Sequence, residues 1–136
     1  VRFNEAKKIE DFIKRAEKEI NNFSDIAGVE AVNFYTRNFT KQGFDDNGVE
    51  HWKGRKRERK RDSGRAILVK SGALRRSLLK RKAGKLSVFI ISPLAYANRH
   101  NEGLKGMPKR QFVGNSRKLN KKILFKLDRR IQFAQR

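Results

Sequence analysis

The chain has 136 residues, with 35 Lys and Arg against 14 Asp and Glu, a formal net charge of +21 and no cysteine. That length holds one domain. The lack of thiols excludes a disulfide framework and a thiolate metal site, and the longest apolar run, Val-Phe-Ile-Ile, falls far short of the roughly 20 residues of a membrane helix.

Ten Phe within a 37% hydrophobic content supply one modest core under a highly charged surface. Charge of one sign at this density repels itself, which implies an acidic protein or a polyanion as partner. The first segment mixes Glu, Lys and Asp with its hydrophobics and carries no signal-peptide pattern.

Phe3, Ala6, Ile9, Phe12, Ile13, Ala16 and Ile20 recur at spacings of three and four, which predicts an amphipathic helix of about five turns. Asn-Asn-Phe-Ser-Asp breaks the pattern, with Ser24 or Asp25 as N-cap of a second helix through Ile26, Val29, Val32, Tyr35 and Phe39, stopped by Gly43. Gly-Phe-Asp-Asp-Asn-Gly is turn chemistry, and Trp52 stands alone before a run from Lys53 to Arg65 with eight basic residues, two acidic ones and no apolar side chain. Taken alone, that run reads as a mobile loop that orders only against a partner. Ser71 and Gly72 mark a turn. Ala83-Gly84-Lys85 joins two β-compatible runs as a hairpin. In its second strand Leu86, Val88 and Ile90 alternate with Ser87, Phe89 and Ile91. One face is fully apolar and the other becomes so at its end, so a helix should cover one side and a neighbour the other. Pro93 ends the strand, Tyr96 and Ala97 begin a further extended segment, and His100 to Gly103 turns outward. Asn115 or Ser116 caps a last helix with its apolar stripe at Leu119, Ile123, Leu127, Ile131 and Ala134.

Enzyme chemistry finds little support. His51 and His100 each have a carboxylate nearby, Glu50 and Glu102, but neither has the i, i+4 histidine pairing or the third ligand of a zinc site. Asp45 and Asp46 could serve a two-metal site, yet they sit in a turn that favours them for backbone reasons. No cofactor is expected. The cations Lys53, Arg55, Lys56, Arg57, Arg59, Lys60, Arg61 and Arg65 could contact a polyanion or an acidic partner. Without interleaved aromatics or a known recognition motif, only non-specific DNA contact fits them. Beyond the His100 to Gly103 turn, Pro108 fixes a corner, Arg110 can bind a carboxylate or carbonyls, and Phe112 can anchor the corner in the core. A structural corner and an interface role both fit these residues.

Four stretches resemble the phage virion morphogenesis family, the tail-completion proteins of tailed phages such as Mu. They are Trp52, Leu-Val-Lys-Ser-Gly-Ala-Leu-Arg-Arg-Ser at Leu68 to Ser77, Tyr-Ala-Asn-Arg-His-Asn-Glu-Gly at Tyr96 to Gly103, and Pro-Lys-Arg-Gln-Phe-Val-Gly at Pro108 to Gly114. The segment between Trp52 and Leu68 is more basic than the family pattern, and the spacer between Gly103 and Pro108 is short. The resemblance implies an α+β fold, a single domain with long helices packed on a small antiparallel sheet. It also implies a non-enzymatic virion protein that completes the tail and helps join it to the head. Such a protein forms a homo-oligomeric ring, commonly hexameric, meets tail-tube and neck or connector proteins, and resides in the host cytoplasm during assembly and then in the virion. On this reading Tyr96, His100, Glu102, Gly103, Pro108, Arg110 and Phe112 form a subunit or partner interface. The alternative is a basic, non-specific nucleic-acid-binding module.

Overall fold

The computed structural model describes residues 4–57 and 59–134; Phe3 and the side chains of Ala6 and Ala134 lie outside the described residues. Helix α1 (Asn4–Asn21) runs almost directly into α2 (Phe23–Lys41), with only Asn22 between them and its backbone still right-handed helical. The expected cap at Ser24 or Asp25 is not used. Ser24 is buried inside the first turn of α2, where its hydroxyl donates to the Gly84 carbonyl at 2.5 Å. At the other end Gln42, not Gly43, takes the left-handed conformation, with φ 55°. Its side chain grips the backbone of Ile67, accepting from the amide at 2.6 Å and donating to the carbonyl at 3.1 Å, which holds the chain end in place. Gly43 instead opens β1 (Gly43–Asp45), which pairs antiparallel with β2 (Val49–His51) across the Asp46–Gly48 turn.

After Trp52 the backbone is irregular apart from a 3-10 turn at Lys60–Asp62. The one-turn helix α3 (Ala73–Arg76) leads into an antiparallel hairpin, β3 (Leu79–Gly84) with β4 (Ser87–Ile91). The hairpin is where the sequence placed it, although Leu86 lies in the turn and not in the strand. The two strand pairs are separate sheets among the described residues, not one sheet. Tyr96 and Ala97 do not extend: Tyr96 is the N-cap of α4 (Ala97–Glu102), and Gly103 closes that helix with φ 71°. A Cβ on Gly103 would lie 2.8–2.9 Å from Lys109 atoms, so both the backbone angle and the close approach call for glycine here. The last helix is α5 (Arg117–Ala134).

The spine is α2, on which the β3–β4 hairpin, β1, α3 and α5 all pack. The ion pairs Glu19–Arg130 (3.5 Å) and Glu30–Lys126 (3.2 Å) run in opposite chain order, so α5 lies antiparallel to the path of α1 and α2. Phe39 is 1% exposed at the centre of the core, edge-on to Trp52 (5.7 Å) and tilted against Phe112 (5.1 Å). Each of the four stretches singled out in the sequence gives this one core a buried side chain: Trp52, Leu74, Ala97 and Phe112. The fold is α+β, a single domain.

Asp45 and Asp46 tie the first hairpin to the start of α5. The Ser116 hydroxyl donates to the Asp45 carbonyl at 2.7 Å and accepts from the Leu119 amide at 3.1 Å, so Ser116 is the N-cap of α5. The Asp46 carboxylate accepts from the Arg117 amide at 2.8 Å and pairs with its guanidinium, which suits the positive end of a helix. The Asp45 side chain is fully buried, its Oδ2 2.5 Å from Lys41 Nζ and 3.0 Å from Lys118 Nζ. The hydrogen bond from Lys41, helped by Lys118, holds this carboxyl below the usual carboxylate range. A carboxyl with a lowered folded pKa contributes stability above its unfolded value of about 4, and that stability is lost as pH falls toward the folded value. Asp45→Asn should therefore cost about 1.5–3 kcal/mol at neutral pH. The gap from the natural chain should narrow below that unfolded pKa, read as urea midpoints at the two pH values; an equal gap at both would contradict the pairing.

Candidate functional site

The corner from Pro108 to Gly114 is pinned from three directions. From α2, the Asn38 amide donates to the Phe112 carbonyl at 3.0 Å and the Tyr35 hydroxyl to the Gly114 carbonyl at 2.6 Å. Trp52 donates its indole N–H to the Gln111 carbonyl at 2.7 Å. From α4, the Asn101 side-chain oxygen accepts from the Phe112 and Val113 amides, both at 2.9 Å, and the His100 carbonyl accepts from the Arg110 amide at 2.8 Å. Six backbone groups of the corner, between Arg110 and Gly114, are thus paired with a side chain or carbonyl at least ten residues away in sequence, which fixes its path.

The residues grouped as an interface divide. Phe112 is 2% exposed and Arg110 8%, so both side chains are buried within the subunit. Arg110 takes the carbonyl option, donating from Nε to Lys53 O at 3.1 Å and from its terminal nitrogen to Gly54 O at 3.3 Å. Gly103, Pro108 and His100 are half-buried, while Tyr96 and Glu102 are exposed. The Tyr96 ring stands edge-on to His100 at 6.1 Å. Burial and the nearby Arg110 charge push the His100 imidazole below its ordinary pKa, so it is neutral at pH 7. Its Nδ1 is enclosed with no hydrogen-bond partner among the described residues. The Glu102 carboxylate accepts from Asn101 at 2.8 Å.

By gripping Lys53 and Gly54, Arg110 roots the basic stretch against this corner. Arg55 ties the stretch's other end, donating to the carbonyls of Arg65 (2.8 Å) and Ala66 (3.1 Å). Arg55, Arg59, Arg61 and Arg65 then meet Tyr96, His100 and Arg110 around one cavity, so the two residue groups that the sequence kept apart come together. Lys53, Lys56, Arg57 and Lys60 are exposed and do not line it. Sequence reasoning missed Lys70, which does line it, and Asn101, which holds the corner. Asn101 lay within the quoted motif, but only its tertiary partners reveal its role.

Among the described residues apolar surface stays open in several places, Ile9, Ile13 and Ile20 of α1 included. On the β3–β4 hairpin, Gly28 of α2 approaches Lys80 and Val88, so that face is covered. The opposite face carries Leu79, Phe89 and Ile91, with Leu86 at the turn, all exposed. On α5, exposed Phe125 and Phe133 line one hollow of about 490 Å³ with Lys122, Lys126, Arg129 and Arg130 and with Glu30 of α2. Among the described residues no three His, Cys, Asp or Glu side chains gather as a metal site, and no helix is long and apolar enough to cross a membrane. Asp45 and Asp46 have cations as partners. Comparison of the chain with protein-family models, with curated proteins and with solved structures returns no match.

Proposed function

We propose that this chain is a structural virion protein that completes the phage tail and helps join it to the head, acting as one subunit of a closed ring. The observation that carries the reading is the pair of unlike apolar faces on one small, highly charged subunit: the outer face of the β3–β4 hairpin and the Phe125–Phe133 hollow on α5. Apolar surface left open in this way marks a binding surface. Two different faces that fit each other make a heterologous, head-to-tail contact, which closes into a ring when the rotation per subunit allows it.

The framework of the subunit supports the same role. The stretches that resemble the tail-completion family hold the core together through Trp52, Leu74, Ala97 and Phe112. They brace the shape of the subunit and need no chemistry. Assembly would proceed in the host cytoplasm, with the virion as the destination and tail-tube and neck or connector proteins as neighbours. The test is electron microscopy of phage particles made without this protein. Heads and tails that accumulate unjoined are the expected result; normal joined particles would remove the proposal.

The basic nucleic-acid-binding module has one observation in its favour, the exposed cations from Lys53 to Arg65. Salt-dependent DNA binding by the isolated monomer would favour it.

A further inference from the structure

Between the basic stretch and α4 lies a cavity of about 440 Å³. Exposed Arg59, Arg61 and Lys70 line it together with buried Leu74, half-buried Ile67 and the Tyr96 ring. Six cationic side chains line it in all, and no Asp or Glu among the described residues does. Setting the stretch's own two acids, Glu58 and Asp62, against those six still leaves a surplus of four. Like charges drawn around one hollow repel each other, and an anion seated between them removes that cost. Guanidinium groups offer paired donors that match the two oxygens of a carboxylate. The apolar part of the lining asks in addition for an apolar group beside the anion.

We infer that this cavity is a docking socket for an acidic segment of a different protein, one that presents a carboxylate next to an apolar side chain. Nucleic acid fits less well. A duplex offers a ridge of phosphates to an open surface and nothing for the apolar lining. A single strand needs successive stacking platforms, whereas Tyr96 is the one Trp, Tyr or Phe in the lining and its ring already meets His100. A second copy of this chain fits less well, because it carries the same net charge of +21. Its Glu19, Asp25, Glu30, Asp45 and Asp46 are held by its own cations. Other carboxylates beside apolar residues, such as Glu10, Asp11 and Glu50, sit in helix α1 and strand β2 with Lys7, Lys8, Lys14 and Lys53 close by in sequence. The inference goes beyond the virion role and stands without it.

Fluorescence anisotropy on the full chain at physiological salt decides the matter with three labelled probes: an octapeptide alternating Asp and Leu, one alternating Asp and Ser, and a deoxythymidine octanucleotide. The Asp-Leu peptide should bind about tenfold more tightly than the Asp-Ser peptide, the gain expected from burying one leucine. It should also bind more tightly than the oligonucleotide. Arg59→Ser, Arg61→Ser and Lys70→Ser combined should weaken it about tenfold, and Lys70→Glu alone should act in the same direction. Both variants change exposed side chains, and their melts should match that of the natural chain. An oligonucleotide that binds as tightly as the Asp-Leu peptide would overturn the inference, as would peptide binding indifferent to these substitutions or to Leu. Loss of self-association in the triple variant would also overturn it, because it would make a second copy the occupant.

Discussion

Replacing Phe112 with Ala is expected to destabilise the subunit by about 3–5 kcal/mol, the cost of truncating a fully buried aromatic. The ring meets Phe39 at 5.1 Å, and Phe39 in turn meets Trp52, so the cavity would open at the centre of the core where α2, the first hairpin and the corner converge. The backbone on either side of Phe112 cannot collapse into that space, because Asn38 and Asn101 hold its carbonyl and its amide. Total stabilities of about 5–15 kcal/mol leave little margin for such a loss. Arg110→Ala, by contrast, removes two hydrogen bonds to the Lys53 and Gly54 carbonyls and should cost about 1–3 kcal/mol. Urea midpoints rank the two, and an Arg110 effect larger than that of Phe112 would mean that the corner is held by its polar contacts and not by its anchor.

The second large effect concerns assembly. Phe89→Glu changes the open hairpin face and Phe125→Glu the open helical face, and both rings are 62% exposed. Neither change should move stability by more than about 0.5 kcal/mol, as for other exposed positions. Glu at position 89 would face Arg81 across the strand pair, and Glu at position 125 would precede Arg129 by one turn, so both gain a local partner. If each contact joins the hairpin face of one subunit to the helical face of the next, either variant alone should fail to assemble. An equimolar mixture of the two should form dimers and stop, because one intact hairpin face and one intact helical face remain between them. Light scattering distinguishes this from a self-complementary contact, in which one of the variants would assemble as the natural chain does.

Where apolar residues keep a period over many turns, the sequence was readable. The stripe of α5, that of α2 apart from Val29, which is exposed, and the turn of the β3–β4 hairpin follow from spacing alone, and the apolar end of the outer hairpin face already asked for a second cover. Helix α4 was not readable: six residues after a proline are too few to show a period, and what stabilises it is the Asn101 contact with a segment eleven and twelve residues further on. The cap at Ser24 and the stop at Gly43 were misplaced for a related reason. Both looked like local signals, but Ser24 and Gln42, the residue that turns the chain, have their partners, Gly84 and Ile67, 60 and 25 residues away. The cationic cavity had no local signature at all, since it exists only because Arg110 fastens the basic stretch 57 residues before it.

Ring formation through two unlike faces is the central claim, and the mass of the purified protein tests it most directly. Native mass spectrometry across a wide range of concentration should give one fixed multiple of the 15.9 kDa subunit, larger than a dimer. A closed polygon of that number of subunits should appear in electron micrographs of the same sample. A monomer at every concentration, a dimer, or an open filament of unlimited length would contradict the account.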